Sequence, residues 1–433
     1  MTKLRSQRDI NLWRIPLLMS AAAVGLFAVT MVFDVLDKYG YIHIPSWLTM
    51  GSIDDARAIL SATIGAVATV LALIFSVALL VLSMVATLFG PRLLSRFLQD
   101  WVTHVTLGLF MGTFVYLCLV FLVTHQSSDS QLVPQISLIT SWVLVVGSFG
   151  FLVFYSHRIA VSIQNPDLVG RIADDVYPAA ISTNLRDASE GAGPPPDDAA
   201  IARDAALGAS VPATRSGYFQ TVDHAALVEA ARDRGARIVL RFRPGQFVLR
   251  GEPVAAVTPS GAHDAIAPAI DRAVAIGRHR TLTQDSEFAI AQIVEIAIRA
   301  LSPAVNDTFT GVACVDWLGD ALLVLADKPP FDGNWFDSRG ELRVWMPALR
   351  LDRLIKLAFD QIRQASATTP AVLIRQLDMI RRLAARVDAA AIASLADQID
   401  AILETATIVA LDRRDLEAAA ARAREAVQLA RAA

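Results

Sequence analysis

Hydrophobic residues fall first into four long, nearly charge-free runs and then, past Tyr155, into short amphipathic stretches. The runs predict membrane helices at about 12–33, 58–88, 105–123 and 136–155, each near the roughly 20 apolar residues that a bilayer requires. The second run organises the chain, because no charged side chain lies between Arg57 and Arg92. At about 1.5 Å per residue it is roughly 50 Å long against about 30 Å of hydrocarbon, so it tilts or emerges from the bilayer. Ser52, Asp54 and Asp55 mark its start in the manner of a capping box. Gly90-Pro91, followed by Arg92 and Arg96, marks its end.

The small and polar positions of this helix are ordered. At about 100° per residue, Ser61, Gly65, Thr69, Ala72, Ser76, Ser83, Thr87 and Gly90 share one arc of roughly 80°. Leu79 alone among the large residues reaches the edge of that arc. Such a stripe suits a packing face, where small residues allow close approach and hydroxyls bond across the contact. It equally suits the lining of a water-filled path in an oligomer.

Beyond Tyr155 the pattern changes twice. Residues 156–215 read as an exit helix, broken near Asn165-Pro166, and a linker in which Pro194 to Pro196 follow Gly191 and Gly193. Residues 216–260 read as a small β-rich subdomain: strands near Tyr218–Thr221, Arg237–Arg243, Gln246–Leu249 and Pro253–Val257, and a helix from Asp223 to Arg234. The run from Pro244 to Pro253 is similar to the hairpins of lipoyl- and biotinyl-carrier barrels. Those domains need a lysine, and none lies between Lys38 and Lys328. Residues 261–433 read as mainly helical, with a hairpin between Phe331 and Val344 and three or four amphipathic helices after Ala348. The expected fold is therefore an α-helical integral membrane protein of four transmembrane helices, residues 1–155, carrying a mainly helical α+β cytosolic domain.

Composition supports the membrane assignment, with 54% hydrophobic residues, 19% charged and a mean hydropathy of +0.46. Charge fixes an orientation. Lys3, Arg5, Arg8, Arg14, Arg92, Arg96 and Arg158 flank one side of the runs and only Lys38 and Arg57 the other, so both termini are expected in the cytoplasm at a bacterial inner membrane. The first run is too long for a signal peptide and lacks a small-residue cleavage site. No clustered basic surface points to nucleic acid. Cys118 and Cys314 share no metal spacing and form no disulfide framework.

Catalytic signatures are missing: there is no phosphate loop, nucleophile elbow, H-E-x-x-H or Cys-x-x-Cys. No enzyme, cofactor or metal is expected. His43, His104 and His125 fall near span boundaries, and His279 stands in a solvated helix approach. The densest polar stretches are Arg280 to Asp285 and Ser302 to Thr308. Ser302 before Pro303, and Asp307 before Thr308, read as helix N-caps. The sharper reading gathers Arg280, Asp285, Arg299, Asn306 and Asp307 into one polar ion site, with Arg299 reaching Asp307.

Several stretches resemble a family of bacterial predicted membrane proteins, domain of unknown function 2254. They are Phe89-Gly90-Pro91-Arg92-Leu93-Leu94, Ser216-Gly217-Tyr218, Pro244-Gly245 with Phe247-Val248, Gln284-Asp285 with Phe288, and Arg299-Ala300-Leu301-Ser302-Pro303 with Asn306-Asp307. Thr308 stands where that pattern has proline. The resemblance implies four spans plus a cytosolic domain and no established activity. The leading functional reading is a non-enzymatic, self-assembling protein that conducts ions or small solutes through the lipid bilayer, its cytosolic domain acting as gate or regulator. The alternative is a membrane-anchored scaffold or signalling protein.

Overall fold

The computed structural model describes residues 14–39, 41, 53–89, 101–126, 134–163, 170, 173, 198–327, 333–408 and 414–432. The expected Gly90-Pro91 stop with its arginines, the Ser52 cap, the Asn165-Pro166 break, His43 and the Pro194–Pro196 linker lie outside the described residues, as does the side chain of Thr87. The chain divides into two compact units, Met1–Asn165 and Pro166–Ala433.

The first unit holds four helices, α1 (Arg14–Lys38), α2 (Ile53–Phe89), α3 (Trp101–Gln126) and α4 (Gln135–Ile163). Each lies on one of the predicted runs and continues past its C-terminal end. Helix α3 is the central one, packed on α1, α2 and α4, and Phe110, Tyr116, Leu117 and Val120 of α3 form much of the core. Its approach to α1 depends on Gly108 and Gly112, four residues apart. A Cβ on Gly108 would lie 2.5 Å from Met19 Sδ, and one on Gly112 would lie 3.1 Å from the Met19 carbonyl oxygen. Small residues at this spacing let helix backbones come close where burial of apolar surface supplies little drive. Thr113 and Ser148 then hydrogen-bond between α3 and α4 at 2.9 Å.

The second unit begins with α5 (Asp198–Leu207), β1 (Ala209–Pro212), β2 (Gly217–Val222), α6 (His224–Asp233), β3 (Arg237–Leu240), β4 (Phe247–Val248), β5 (Pro253–Thr258), α7 (His263–Ala273) and β6 (Val274–Gly277). Helices α8 (Ser286–Ala300) and α9 (Thr308–Ala326) follow, then β7 (Asn334–Phe336), β8 (Leu342–Trp345), α10 (Leu351–Ala365), α11 (Pro370–Leu383), α12 (Ala389–Ile408) and α13 (Arg414–Ala432). One sheet runs β1-β5-β3-β8-β7 and the other β4-β2-β6. All pairings are antiparallel except β3 with β8. Both sheets share a core built on Phe219, Leu227, Ile238, Leu240, Ile266 and Ile270.

The sheets reach outside the stretch read as β-rich. Strand β1 lies where a linker was expected, β6 where helix was expected, and the hairpin β7–β8 joins β3 from about a hundred residues away. Pairing between distant segments leaves no local periodicity, so short strands such as Ala209–Pro212 carry no signal of their own.

Helices α8 to α13 form the helical part, in which α9 packs on α8, α10 and α11, α10 on α12, and α11 on α13. Helix α8 is buried nearly all round, from Phe288 to Ala300. Helix α9 is also apolar, which makes five helices long and apolar enough to cross a membrane among the described residues, one more than predicted.

Candidate functional site

The stripe of α2 faces away from its own bundle. Ala56, Leu60, Val67 and Ile74 are the buried residues of this helix, and by the roughly 100° step they lie about 180° from the stripe. Ser61, Gly65, Thr69, Ala72, Ser76 and Ser83 are all exposed, and a Cβ on Gly65 would meet nothing within 4 Å. A packing face inside the four-helix unit is therefore excluded for these residues. The Thr69 hydroxyl donates to the Gly65 carbonyl one turn back at 2.8 Å, so it satisfies itself within the helix.

Two charged residues that the sequence reading left in loops clamp the far end of this unit. Asp34 of α1 is buried, and its carboxylate accepts the backbone N–H groups of Ile136 (2.7 Å) and Ser137 (3.1 Å) at the start of α4, together with the Ser137 hydroxyl. Arg57 of α2 donates through Nε (3.0 Å) and Nη2 (2.6 Å) to the Thr124 carbonyl near the end of α3. Each charge opposes the helix dipole it meets and satisfies groups that a helix end leaves orphaned. Thr30 and the Tyr116 hydroxyl, 2.8 Å apart, continue the polar patch, with Ser137 Oγ 3.1 Å from the Thr30 hydroxyl.

In the second unit, Arg280 and Asp285 come together as a bidentate pair with both contacts at 2.8 Å. Asp285 also caps α8, accepting the Phe288 N–H at 3.0 Å, and Arg280 stacks over the Phe288 ring. Beside them Glu287, which the sequence reading missed, accepts Arg243 at 2.6 Å and Arg353 at 2.7 Å. Three arginines and two carboxylates thus tie the turn after β3 to the starts of α8 and α10. Gly245 must be glycine here: its φ is +95°, and a Cβ would fall 2.4 Å from Asp285 Oδ2. The buried Ser286 hydroxyl has no hydrogen-bond partner and lines a cavity of about 10 Å³ with these residues, room for about one water.

Arg299, Asn306 and Asp307 do not join this cluster. They stand at the other end of α8, and 14 residues of helix at about 1.5 Å each separate Asp285 from Arg299 by about 21 Å, so the expected single site is two places. Arg299 pairs with Glu295 at 3.2 Å. Asp307 is the N-cap of α9, accepting the Thr310 N–H at 3.1 Å and its hydroxyl at 2.6 Å. These bonds hold its carboxyl below the usual carboxylate range. Asn306 adopts a left-handed φ of 51°, which asparagine tolerates. Ser302 is a correction, because its hydroxyl donates to the Arg299 carbonyl at 2.7 Å and closes α8 instead of opening another helix. Among the described residues no three His, Cys, Asp or Glu gather as a metal shell.

The family model described as predicted membrane protein (DUF2254) matches residues 10–382. The chain is similar to uncharacterized proteins of Mycobacterium bovis and of two strains of Mycobacterium tuberculosis. Identity is 29% over 435 residues, covering 96% of this chain and 80% of each relative. No solved structure matches.

Proposed function

Because this chain belongs to the domain of unknown function 2254 family of predicted membrane proteins, we propose that it is a multi-pass bacterial inner-membrane protein that self-assembles through α2 and conducts ions or small solutes. Helices α1 to α4 are its spans, both termini are cytoplasmic, and the second unit gates or regulates the path. Helix α9 stays in the soluble core. Asp316 lies near its middle and pairs with Arg375 of α11 at 3.2 Å, and an aspartate at the centre of a lipid-exposed helix costs about 2.5–3.5 kcal/mol.

One observation carries the assembly reading: a stripe of small and hydroxylated residues lies on the side of α2 opposite its bundle contacts. Lipid gains nothing from such a face, whereas a second copy can approach it closely. At 37 residues, or about 55 Å, α2 also offers contact beyond the hydrocarbon. The anchor reading has its own support, since Thr69 bonds to its own backbone and offers no free proton to a permeant solute.

Single cysteines at Thr69, Ser76 and Ser83, in a background lacking Cys118 and Cys314, separate these readings. Conduction predicts labelling at all three depths by a small membrane-impermeant thiol reagent, crosslinking between copies, and reduced flux on Ser76→Leu with assembly retained. Crosslinking without labelling leaves a sealed scaffold. If the cysteines neither crosslink nor label, α2 faces lipid and self-assembly through it is wrong.

A further inference from the structure

Where α9, α11 and α13 meet, the second unit carries a groove of about 410 Å³, within the range of roughly 300–1,000 Å³ typical of small-molecule sites. Val312 of α9 and Ile374 of α11 supply apolar wall, while Arg375, Arg381 and Arg422 line it with positive charge. Asp378 is the carboxylate lining the groove, and it is shared: Arg381 approaches it at 2.9 Å, Arg382 at 3.4 Å and Arg375 at 3.8 Å. Arg375 also meets Asp316 at 3.2 Å. Arg422, from α13, has no hydrogen-bond or ion-pair partner among the described residues. In the lining itself, three guanidinium groups therefore face one carboxylate, with Asp316 paired to Arg375 and Arg382 to Asp378 beside it.

Part of that surplus has a local explanation, because Arg381 and Arg382 sit in the last turn of α11, where the helix dipole favours cations. Arg422 does not. It stands in the middle of a different helix and adds a further positive charge where like charges already repel. A dianion between the helices removes the repulsion, and the guanidinium fork matches phosphate oxygens. The groove is larger than inorganic phosphate needs, and its wall is apolar.

We propose that this groove binds a small phosphomonoester with an apolar body, its phosphate held between Arg422 and Arg381 and its body against Ile374 and Val312. The site is independent of the α2 stripe, and it gives the regulatory role of this unit a class of ligand.

The test uses the full chain in nanodiscs of zwitterionic lipid, with adenosine monophosphate, inorganic phosphate and adenosine as probes read by calorimetry. Adenosine monophosphate should bind saturably and more weakly as salt rises, inorganic phosphate more weakly still, and adenosine not at all. Arg422→Gln, whose unbonded side chain leaves the melting temperature unchanged, should weaken binding about tenfold, the loss of one charge-assisted contact. Arg381→Gln should weaken it again. Three results overturn the proposal: neither phosphate-bearing probe binds, adenosine binds as well as its monophosphate, or Arg422→Gln binds like the wild type. A response confined to nanodiscs containing phosphatidic acid also overturns it, by assigning the arginines to a lipid headgroup.

Discussion

At the residue scale, two side chains of the second unit set measurable terms in its stability. His224, at the start of α6, stacks on Trp335 with ring centroids 3.9 Å apart, and its Nε2 has no hydrogen-bond partner. Burial pushes its pKa from 6.5 down to about 4, against a smaller pull from Asp223. The unfolded chain binds this proton near pH 6.5 and the folded chain only near pH 4, so stability is full above the first value and falls as pH drops toward the second. At about pH 5 the loss should be about 2 kcal/mol. Denaturation of the full chain in detergent checks it, since His224→Phe keeps the stacking and should flatten the pH dependence; identical profiles would show that His224 is not held neutral. Asp307 acts as a cap, so Asp307→Ala should destabilise this unit by about 0.5–2 kcal/mol and Asp307→Ser by much less. If both melt normally while cellular function is lost, the residue serves a ligand instead. Because bonding lowers the Asp307 pKa, its contribution is present at neutral pH and disappears only in acid.

Helices obey their glycines unequally, and at the element scale that decides which contacts are tight. Gly108 and Gly112 set the approach of α3 to α1, the second against a backbone oxygen that no rotamer change can move aside. Gly112→Leu should therefore destabilise the membrane unit by about 1–3 kcal/mol through overpacking. Gly147→Leu on α4, where a Cβ meets nothing within 4 Å, serves as the control and should leave the melting temperature in detergent unchanged. Equal effects would show that the glycine pair does not hold α1 to α3. The Gly-Leu-Phe-Met-Gly spacing was visible in the sequence, but the spacing alone does not say which helix it meets.

For the whole molecule, the number of spans decides where the second unit lies. Five candidate helices are apolar enough to cross, and an odd number of crossings puts the two termini on opposite sides. With α9 kept in the soluble core, alkaline phosphatase fused after Ala433 should be inactive and a fusion in the 127–133 loop active, as seven of nine flanking basic residues require. Activity at Ala433 would mean that α9 crosses or that the orientation is reversed. Among the described residues, three of the family-resembling segments of the second unit make packing or backbone contacts. Pro244-Gly245 packs on Asp285, Gln284 bonds both backbone groups of Val222, and Leu301 packs where Gly311 has no side chain.

Sequence alone determined what depends on near neighbours: four long apolar helices, the stripe on α2, the amphipathic helices after Ala348, and caps such as Asp307. Length, period and helix-end chemistry are local, so they can be read without knowing what packs where. Tertiary structure decided what depends on distant partners. The parallel pairing of β3 with β8 joins segments about a hundred residues apart, and Asp34 and Arg57, in polar stretches at helix ends, each satisfy the end of a helix they do not belong to. The expected ion site divided for the same reason. Arg280 and Asp307 stand in two polar stretches of sequence, and the 15-residue helix α8 between them, about 22 Å long at about 1.5 Å per residue, holds them apart.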